Sequence, residues 1–452
     1  MEEMLETVVC APRRTEDSGS DRYSDSDGYS VDDEQTDDGT TIRKGRDGDV
    51  DLRTCLQVVD LQTLEMDCAS SPYSYAFRID AFTRKVSAVD GEFQNLGQGK
   101  YLRVDVPTTT ADAIPNISPQ LADNLVEYYF QELWPIFPIV DKDALYSQLQ
   151  NRSPPVPNSL LTAIYFAAAS AISNVPSRSK TQSALSSPSL SPHSPPPLPP
   201  GLLDSLRTTL KETIAQLSTT ILEPRITTIQ AIILRCLYDK SLSIEESAVL
   251  ISDVVRMAQY ILLHRSIPNI SARDKALRKH IWWTIFLLEV WTSAHNRNPS
   301  TLDLNEVDIQ LPIESEEVEH QGYTALVSLT RILLDTLRRV YSPTALSQEV
   351  PTEVARLRGW VNDWYCNLPR ELLVAESASR SENADFLLSG CHSVLLLLYN
   401  PFREEDLVRS EISRSQGIIV DSLGRLGGNI GKFGIIARLI GEMATENGIQ
   451  HM

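Results

Sequence analysis

Residues 160–173 (LLTAIYFAAASAIS) form a segment that is apolar on almost every side and rich in alanine. A helix of this kind has no polar face, so it is stable only where other parts of the chain surround it. It is too short to cross a membrane, which takes roughly 20 apolar residues, and no other apolar run in the chain reaches that length. The segment therefore predicts a central helix inside a larger domain.

The helical spacing of apolar residues recurs on both sides of this segment. Ser118 and Pro119 suit the start of a helix that runs to Pro135, because serine caps helices and proline is tolerated in the first turn. Ser243, with Glu246 three residues later, forms a capping-box pattern at the start of residues 243–264. Further helices are predicted at 202–222, 226–238, 323–341, 351–364 and 386–402. The expected fold class is all-α, with one large helical domain at residues 118–405.

The region before this domain is polar. Residues 1–50 are rich in Ser, Asp and Gly, carry a net charge of −9 and predict a disordered acidic segment. That segment is either a solvated tail or a recruiting segment in which Tyr23 and Tyr29 serve as weak apolar anchors. A poorly defined lead-in follows at residues 51–117. Within it, the alternation of apolar and polar residues at 75–106 predicts a short strand or two.

Three later segments are predicted to lie outside the core. Residues 176–200 are so rich in Ser and Pro that they favour a flexible surface loop. The glycine-rich run at 424–434 contains a Gly-Lys pair, but Leu426 and Phe433 stand where a phosphate-binding loop needs Gly and Ser or Thr. That run is predicted to be a flexible connector, and residues 406–452 as a whole a C-terminal tail.

Charge and cysteine spacing limit what the chain can bind. The net charge is −19, and duplex DNA is bound by neutralising its phosphates with Lys and Arg. The six cysteines are never closer than 13 residues apart, whereas a cysteine zinc site needs pairs two to four residues apart. The N-terminus is acidic where a secretory signal would be basic and then apolar. We expect an intracellular protein that binds no zinc and does not contact DNA directly.

One compact basic cluster interrupts the acidic sequence, and a group of carboxylates follows it. Phosphate contact is one interpretation of the cluster. The other is a solvated helix face whose arginines pair with those carboxylates, and the acidic balance of the chain favours it. The cluster comprises Arg273, Lys275, Arg278, Lys279 and His280, and the carboxylates are Asp303, Glu306 and Asp308.

Motifs of catalysis do not occur in the sequence. The seven histidines never appear in the H-x-x-x-H or H-E-x-x-H spacing of a helical metal site, and there is no G-x-S-x-G nucleophile elbow. Cys391 and His392 are adjacent, so on a helix they cannot face each other as nucleophile and base. An enzyme is not expected, and no catalytic, cofactor-binding or metal-binding residue is assigned.

The most specific pattern in the chain surrounds a pair of tryptophans. It reads Arg278, then Trp282 and Trp283, an apolar helix, a polar turn at residues 296–299, and an acidic stretch that ends at Pro312. This order resembles the middle homology region of the fungal transcription regulators of the zinc binuclear cluster class. Three other segments resemble the same region in the family's order. The residues that match, called landmark residues below, are Tyr129, Phe130, Pro138, Arg256, His264, Arg265, Arg278, Trp282, Trp283, Asp308, Pro312, Tyr399, Pro401 and Phe402.

Two positions depart from the family's pattern. Leu262 stands where glycine is common, so the end of that helix is expected to shift by a residue or two. Asn400 stands where arginine is usual in the late L-Y-R-P-F motif, which puts in doubt any role of that arginine but not the helix itself.

The resemblance implies an all-helical regulatory domain of a nuclear transcription regulator that controls RNA polymerase II genes, in a metabolic pathway or gene cluster. Family members bind zinc through an N-terminal Cys cluster, which this sequence lacks. The implied partners are the transcription machinery or co-regulators, DNA only indirectly or through another module, a small-molecule effector and a second copy of the chain, but no membrane. The alternative from another class is an α-helical ligand-binding or scaffold protein that no longer acts in transcription.

Overall fold

The chain forms α-helices where its sequence shows the helical period, and the computed structural model describes residues 117–151, 155–174, 197–218, 225–312, 320–343, 350–373 and 381–445. Within those ranges there are α-helices, short 3-10 helices and a short π-helix, and no β-strand. The all-α prediction is confirmed. The α-helices are α1 (Pro119–Tyr128), α2 (Lys142–Asn151), α3 (Asn158–Ser173), α4 (Leu202–Ser218), α5 (Ile226–Tyr238), α6 (Ile244–Tyr260), α7 (Ala272–Asn296), α8 (Gln321–Val340), α9 (Val350–Cys366), α10 (Glu382–Tyr399), α11 (Asp406–Leu426) and α12 (Gly434–Met443).

Two of these helices begin at the caps that the sequence predicts. The Ser118 side chain accepts a hydrogen bond from the backbone N–H of Leu121 at the start of α1. At the start of α6, Ser243 and Glu246 form the reciprocal capping box, with Glu246 N donating to Ser243 Oγ at 3.1 Å. Such caps satisfy backbone donors that a helix start leaves free.

The central helix is α3, as residues 160–173 predicted. Its side chains from Leu160 to Ile172 are buried except for the partly exposed Leu161. Helices α1, α4 and α5 pack around it. The hydroxyl of Ser170 donates to the backbone carbonyl of Tyr238 at 2.7 Å, so a polar group inside this packing has its partner.

The C-terminal region differs from the prediction of a tail. Residues 406–443 contain α11, which packs along α10, and α12, which contacts α5, α7, α10 and α11. Ile436, Leu439, Ile440 and Met443 on α12 are fully buried. These helices are amphipathic, and burial of their apolar faces joins them to the core shared by all the other helices.

The glycine-rich run before α12 is not a flexible connector either. It forms a 3-10 helix (Gly427–Phe433) whose last side chain is buried and stacks on Phe386, with ring centroids 4.2 Å apart. Gly434 has a φ of +60°, and a Cβ at this position would lie 2.6 Å from the carbonyl oxygen of Leu237. The glycine is therefore needed for close approach to α5.

Some predictions lie outside the described residues. They are the disordered acidic segment at 1–50, the strands at 75–106 and all of the Ser/Pro loop except residues 197–200. None of the helices in the described ranges combines the length and hydropathy that crossing a membrane requires.

Candidate functional site: the landmark residues around the tryptophan-pair helix

The first landmark residues lie in a short π-helix (Tyr129–Leu133) that continues α1. Tyr129 and Phe130 are buried, and their rings meet edge to face with centroids 5.1 Å apart. The chain then turns through Pro138, and Trp134 holds the turn by donating its indole N–H to the carbonyl of Val140 at 2.7 Å. Arg273 on α7 pairs with Asp141 directly after this turn. The segment with the early landmark residues is thus connected to α7, which carries Trp282 and Trp283 and is called the tryptophan-pair helix below.

Arg278, the first residue of the tryptophan pattern, is buried and holds the end of α6. Its guanidinium donates to the carbonyls of Ile261 and Leu262 at 3.1 and 2.6 Å. These carbonyls lie at a helix C-terminus, where backbone acceptors lack helical partners and a cation is favoured. The interpretation of the basic cluster as a solvated face that pairs with later carboxylates is therefore wrong for Arg278. Arg273, in contrast, is about half exposed and does pair with a carboxylate, but the partner is Asp141, which precedes α7 in the sequence, and not one of the later carboxylates.

Leu262 occupies the position where the family commonly has glycine. It has a φ of +56°, in the left-handed region, and α6 ends just before it at Tyr260. The next residue, Leu263, donates its N–H to the carbonyl of Ala258 at 2.8 Å, which closes the helix end. The helix end thus uses the backbone geometry that normally favours glycine, with leucine in its place.

A loop that we call the strap (residues 297–312) returns from the end of α7 along that helix. Glu289, buried on α7, holds its first part. The carboxylate accepts hydrogen bonds from the backbone N–H of Thr301 at 2.6 Å, from the Thr301 hydroxyl at 3.0 Å and from the Ser300 hydroxyl at 2.8 Å. Several donors of this kind stabilise a buried carboxylate.

The second part of the strap is fixed to the end of α6. Asp308 accepts a hydrogen bond from the backbone N–H of Ser266 at 2.5 Å, and its own N–H lies 3.3 Å from the carbonyl of His264. Arg265 pairs with Glu306 at 3.2 Å. At the end of the strap, the carbonyl of Pro312 accepts from the Thr324 hydroxyl on α8 at 3.2 Å.

The paired tryptophans of α7, Trp282 and Trp283, are both buried, as their helical positions predicted, but their indole N–H groups differ. Trp283 donates to the carbonyl of Gln310 in the strap at 2.9 Å. The N–H of Trp282 has no hydrogen-bond partner among the described residues, and its ring lies 5.5 Å from the His264 ring. Trp283 therefore connects α7 to the strap, and Trp282 fills the space beneath the end of α6.

This difference predicts unequal effects of two matched substitutions. Trp283→Phe is expected to reduce the free energy of unfolding by about 1 kcal/mol more than Trp282→Phe, because only the first removes a hydrogen bond. Both lose a similar volume. Urea unfolding of the two variants measures the difference, and an equal or larger loss for Trp282→Phe would contradict it.

The late landmark residues lie at the end of α10. Tyr399 closes α10, and Pro401 and Phe402 belong to a short 3-10 helix (Asn400–Phe402). Asn400, in the place where arginine is usual, is buried. Next to it, the Tyr341 hydroxyl donates to the carbonyl of Leu397 at 2.6 Å. Of the remaining landmark residues, Arg256 faces solvent on α6.

The structure thus joins seven landmark residues in one place and leaves the rest at other points of the fold. The group consists of His264, Arg265, Arg278, Trp282, Trp283, Asp308 and Pro312. Glu289, which holds the strap, was not among the predicted site residues, although a carboxylate inside the apolar run of α7 is a signal for it. His320, which is buried beside Trp134 with ring centroids 4.6 Å apart, was not predicted either.

The chemistry available in the described residues is that of a packed core. Burial lowers the pKa of His264 to about 4, of His280 to about 3 and of His392 to about 4, so these imidazoles are neutral near pH 7. Burial also raises the pKa of the Cys236 and Cys391 thiols to about 12. No group of three potential metal ligands is found within the described ranges. The arrangement around α7 serves to fix helices and the strap in place.

The sequence of the chain is similar to that of known proteins. The fungal specific transcription factor domain matches residues 126–399, more than half of the chain. The lactose regulatory protein LAC9 of Kluyveromyces lactis is 26% identical over 232 residues, which cover 49% of this chain and 23% of that protein. The transcriptional activator protein acu-15 of Neurospora crassa is 24% identical over 379 residues, which cover 77% of this chain and 38% of that protein. No solved structure matches the chain.

An uncharacterised transcriptional regulatory protein of Schizosaccharomyces pombe is also similar, with 25% identity over 239 residues, or 50% of this chain and 33% of that protein. The matched part is therefore between about a quarter and two fifths of the length of these relatives. The family match begins inside α1 and ends with α10, so it includes the tryptophan-pair helix, the strap and most of the landmark residues. The chain belongs to the family defined by the fungal specific transcription factor domain.

Proposed function

We propose that this chain is the regulatory region of a fungal transcription regulator that acts in the nucleus through contacts with the transcription machinery or co-regulators and catalyses no reaction. The observation that carries the proposal is the family match over residues 126–399. The names of two relatives, a lactose regulatory protein and a transcriptional activator, support control of transcription, and the first of them supports control of metabolic genes.

In this proposal DNA is reached indirectly, through a partner or another module. The net charge of −19 opposes direct contact with phosphates, and no pair of cysteines has the spacing of a zinc cluster. A gel shift with the isolated chain should accordingly show no site-specific binding.

In the part of the chain that the structure describes, one cavity between the helices is too small for a small-molecule effector unless it opens. The cavity between Pro135, Tyr323, Phe386 and Phe433 has a volume of about 10 Å³, which is room for about one water molecule. Small-molecule sites in proteins usually have volumes of roughly 300–1,000 Å³. Regulation by an effector that binds in this cavity would therefore involve rearrangement of the helices that line it.

The proposal is tested in yeast by fusing the chain to a foreign DNA-binding domain whose binding site lies upstream of a reporter gene. The reporter has an intermediate basal expression, so that both an increase and a decrease can be measured. We expect a severalfold change in expression, in either direction, relative to the DNA-binding domain alone. An unchanged reporter, with the fusion verified on its DNA site, would contradict the proposal. A cytosolic location of the untagged chain together with that result would favour the α-helical ligand-binding or scaffold protein instead.

A further inference from the structure

Four residues in front of α4 form an exposed proline-rich segment, Pro197-Leu198-Pro199-Pro200, which we call the PLPP segment. Its three prolines are exposed, whereas Leu198 is partly buried and packs against the hydrophobic core. The segment is neither helix nor strand, and α4 begins only at Leu202. A proline at the first position of a helix assists its start, but prolines at 197 and 199 lie too early for that role.

The backbone of the PLPP segment is restricted by its sequence. Proline fixes φ near −65°, and a residue that precedes proline is held in the extended or polyproline II region. This restriction applies to Leu198 and Pro199, which both precede a proline. A polyproline II helix has three residues per turn, so Pro197 and Pro200 lie on one edge, and Leu198 lies on another. The exposure pattern fits this period, because the edge of Leu198 faces the protein and the proline edges face solvent.

The end of the segment is fixed to the domain. Gly201 follows with a φ of +77°, and the N–H of Leu202 donates to the carbonyl of Pro199 at 3.3 Å. With Leu198 anchored at one point and this turn at the other, the prolines are presented in a defined direction. An exposed segment that is already ordered loses little conformational entropy when a partner binds it.

From this geometry we propose that the PLPP segment is a docking site for a partner domain with an aromatic-lined groove of the WW or SH3 type. Such domains recognise P-x-x-P segments by placing proline rings between aromatic side chains. Pro197 and Pro200 have that spacing and lie on the exposed edge. The inference does not rest on the proposed function, because it concerns binding by the purified chain.

The test uses the full chain with two purified probes, a WW domain that binds proline-leucine ligands and an SH3 domain, each titrated by calorimetry. We expect at least one of them to bind, and the double substitution Pro197→Ala/Pro200→Ala to weaken that binding at least roughly tenfold. Pro351→Ala, which alters an exposed proline at the start of α9, is the matched control and should bind like the wild type.

Thermal unfolding of both variants checks that the fold is intact, and neither change lies in a buried region. The proposal is overturned if neither probe binds the wild-type chain. It is overturned equally if the double variant binds as tightly as the Pro351→Ala control.

Discussion

Asp239→Ala is expected to reduce the free energy of unfolding by about 3–5 kcal/mol, because it removes one member of a buried ion-pair group. Asp239 follows α5 and is almost fully buried. Its carboxylate forms ion pairs with the guanidinium groups of Arg207 at 3.0 Å and Arg235 at 3.5 Å. It also accepts hydrogen bonds from the N–H and hydroxyl of Ser241 at 3.1 and 2.7 Å. Without the carboxylate, the buried guanidinium of Arg235 loses its counter-charge.

Asp204→Ala is the matched control for this prediction. Asp204 pairs with the same Arg207 at 2.5 Å, but its side chain is 79% exposed, and exposed ion pairs contribute only about 0–1 kcal/mol. Chemical denaturation of both variants at pH 7 measures the difference. If Asp239→Ala costs no more than Asp204→Ala, the buried group does not stabilise the domain as described. The double variant Asp239→Ala/Arg235→Met should recover part of the loss, since it leaves no buried charge unpaired.

His280 and His392 are expected to reduce the stability of the domain by about 4 kcal/mol between pH 8 and pH 5, because these two largely buried histidines cannot accept protons without disrupting the fold. His264, whose pKa is also lowered to about 4, adds to this loss. Burial lowers the pKa of His280 to about 3 and of His392 to about 4, from 6.5 in the unfolded chain. The unfolded state therefore binds protons more readily. The contribution of each neutral histidine to the free energy of unfolding is present above pH 6.5 and is lost as the pH drops towards 4. At pH 5 the loss is about 2 kcal/mol for each histidine.

Urea unfolding at pH 8 and at pH 5 measures this loss. The variant His280→Gln/His392→Gln provides the comparison, because its difference in stability between the two pH values should be smaller by about 4 kcal/mol, with the part due to His264 remaining, even if it is less stable at both. Equal pH dependence in the variant and the wild type would show that other groups are responsible.

Much of the fold follows from local sequence. Ser118 and the pair Ser243 and Glu246 form the caps that their spacing predicts, because a cap depends on residues three positions apart. The position of α3 follows equally directly, since a helix without a polar face has to be surrounded. These predictions succeed because each depends on one segment of the chain.

The failures concern contacts between distant segments. Arg278 looked like part of a solvated basic face, yet it binds the carbonyls at the end of α6, and backbone acceptors have no signature in the sequence. Residues 406–452 were predicted to be a tail, and Gly417 and Gly424, which lower helix propensity, do lie within α11. Packing against α10 outweighs that local cost. The partners of Glu289 follow only when the strap is seen to return along α7.

The position of α12 has a practical consequence for producing this protein in recombinant form. Helices α5, α7, α10 and α11 all contact α12, which lies beyond the last residue of the family match. A fragment that ends at residue 399 would expose a large apolar surface on α5, α7 and α10 to water and would precipitate. Expression should therefore continue at least through Met443.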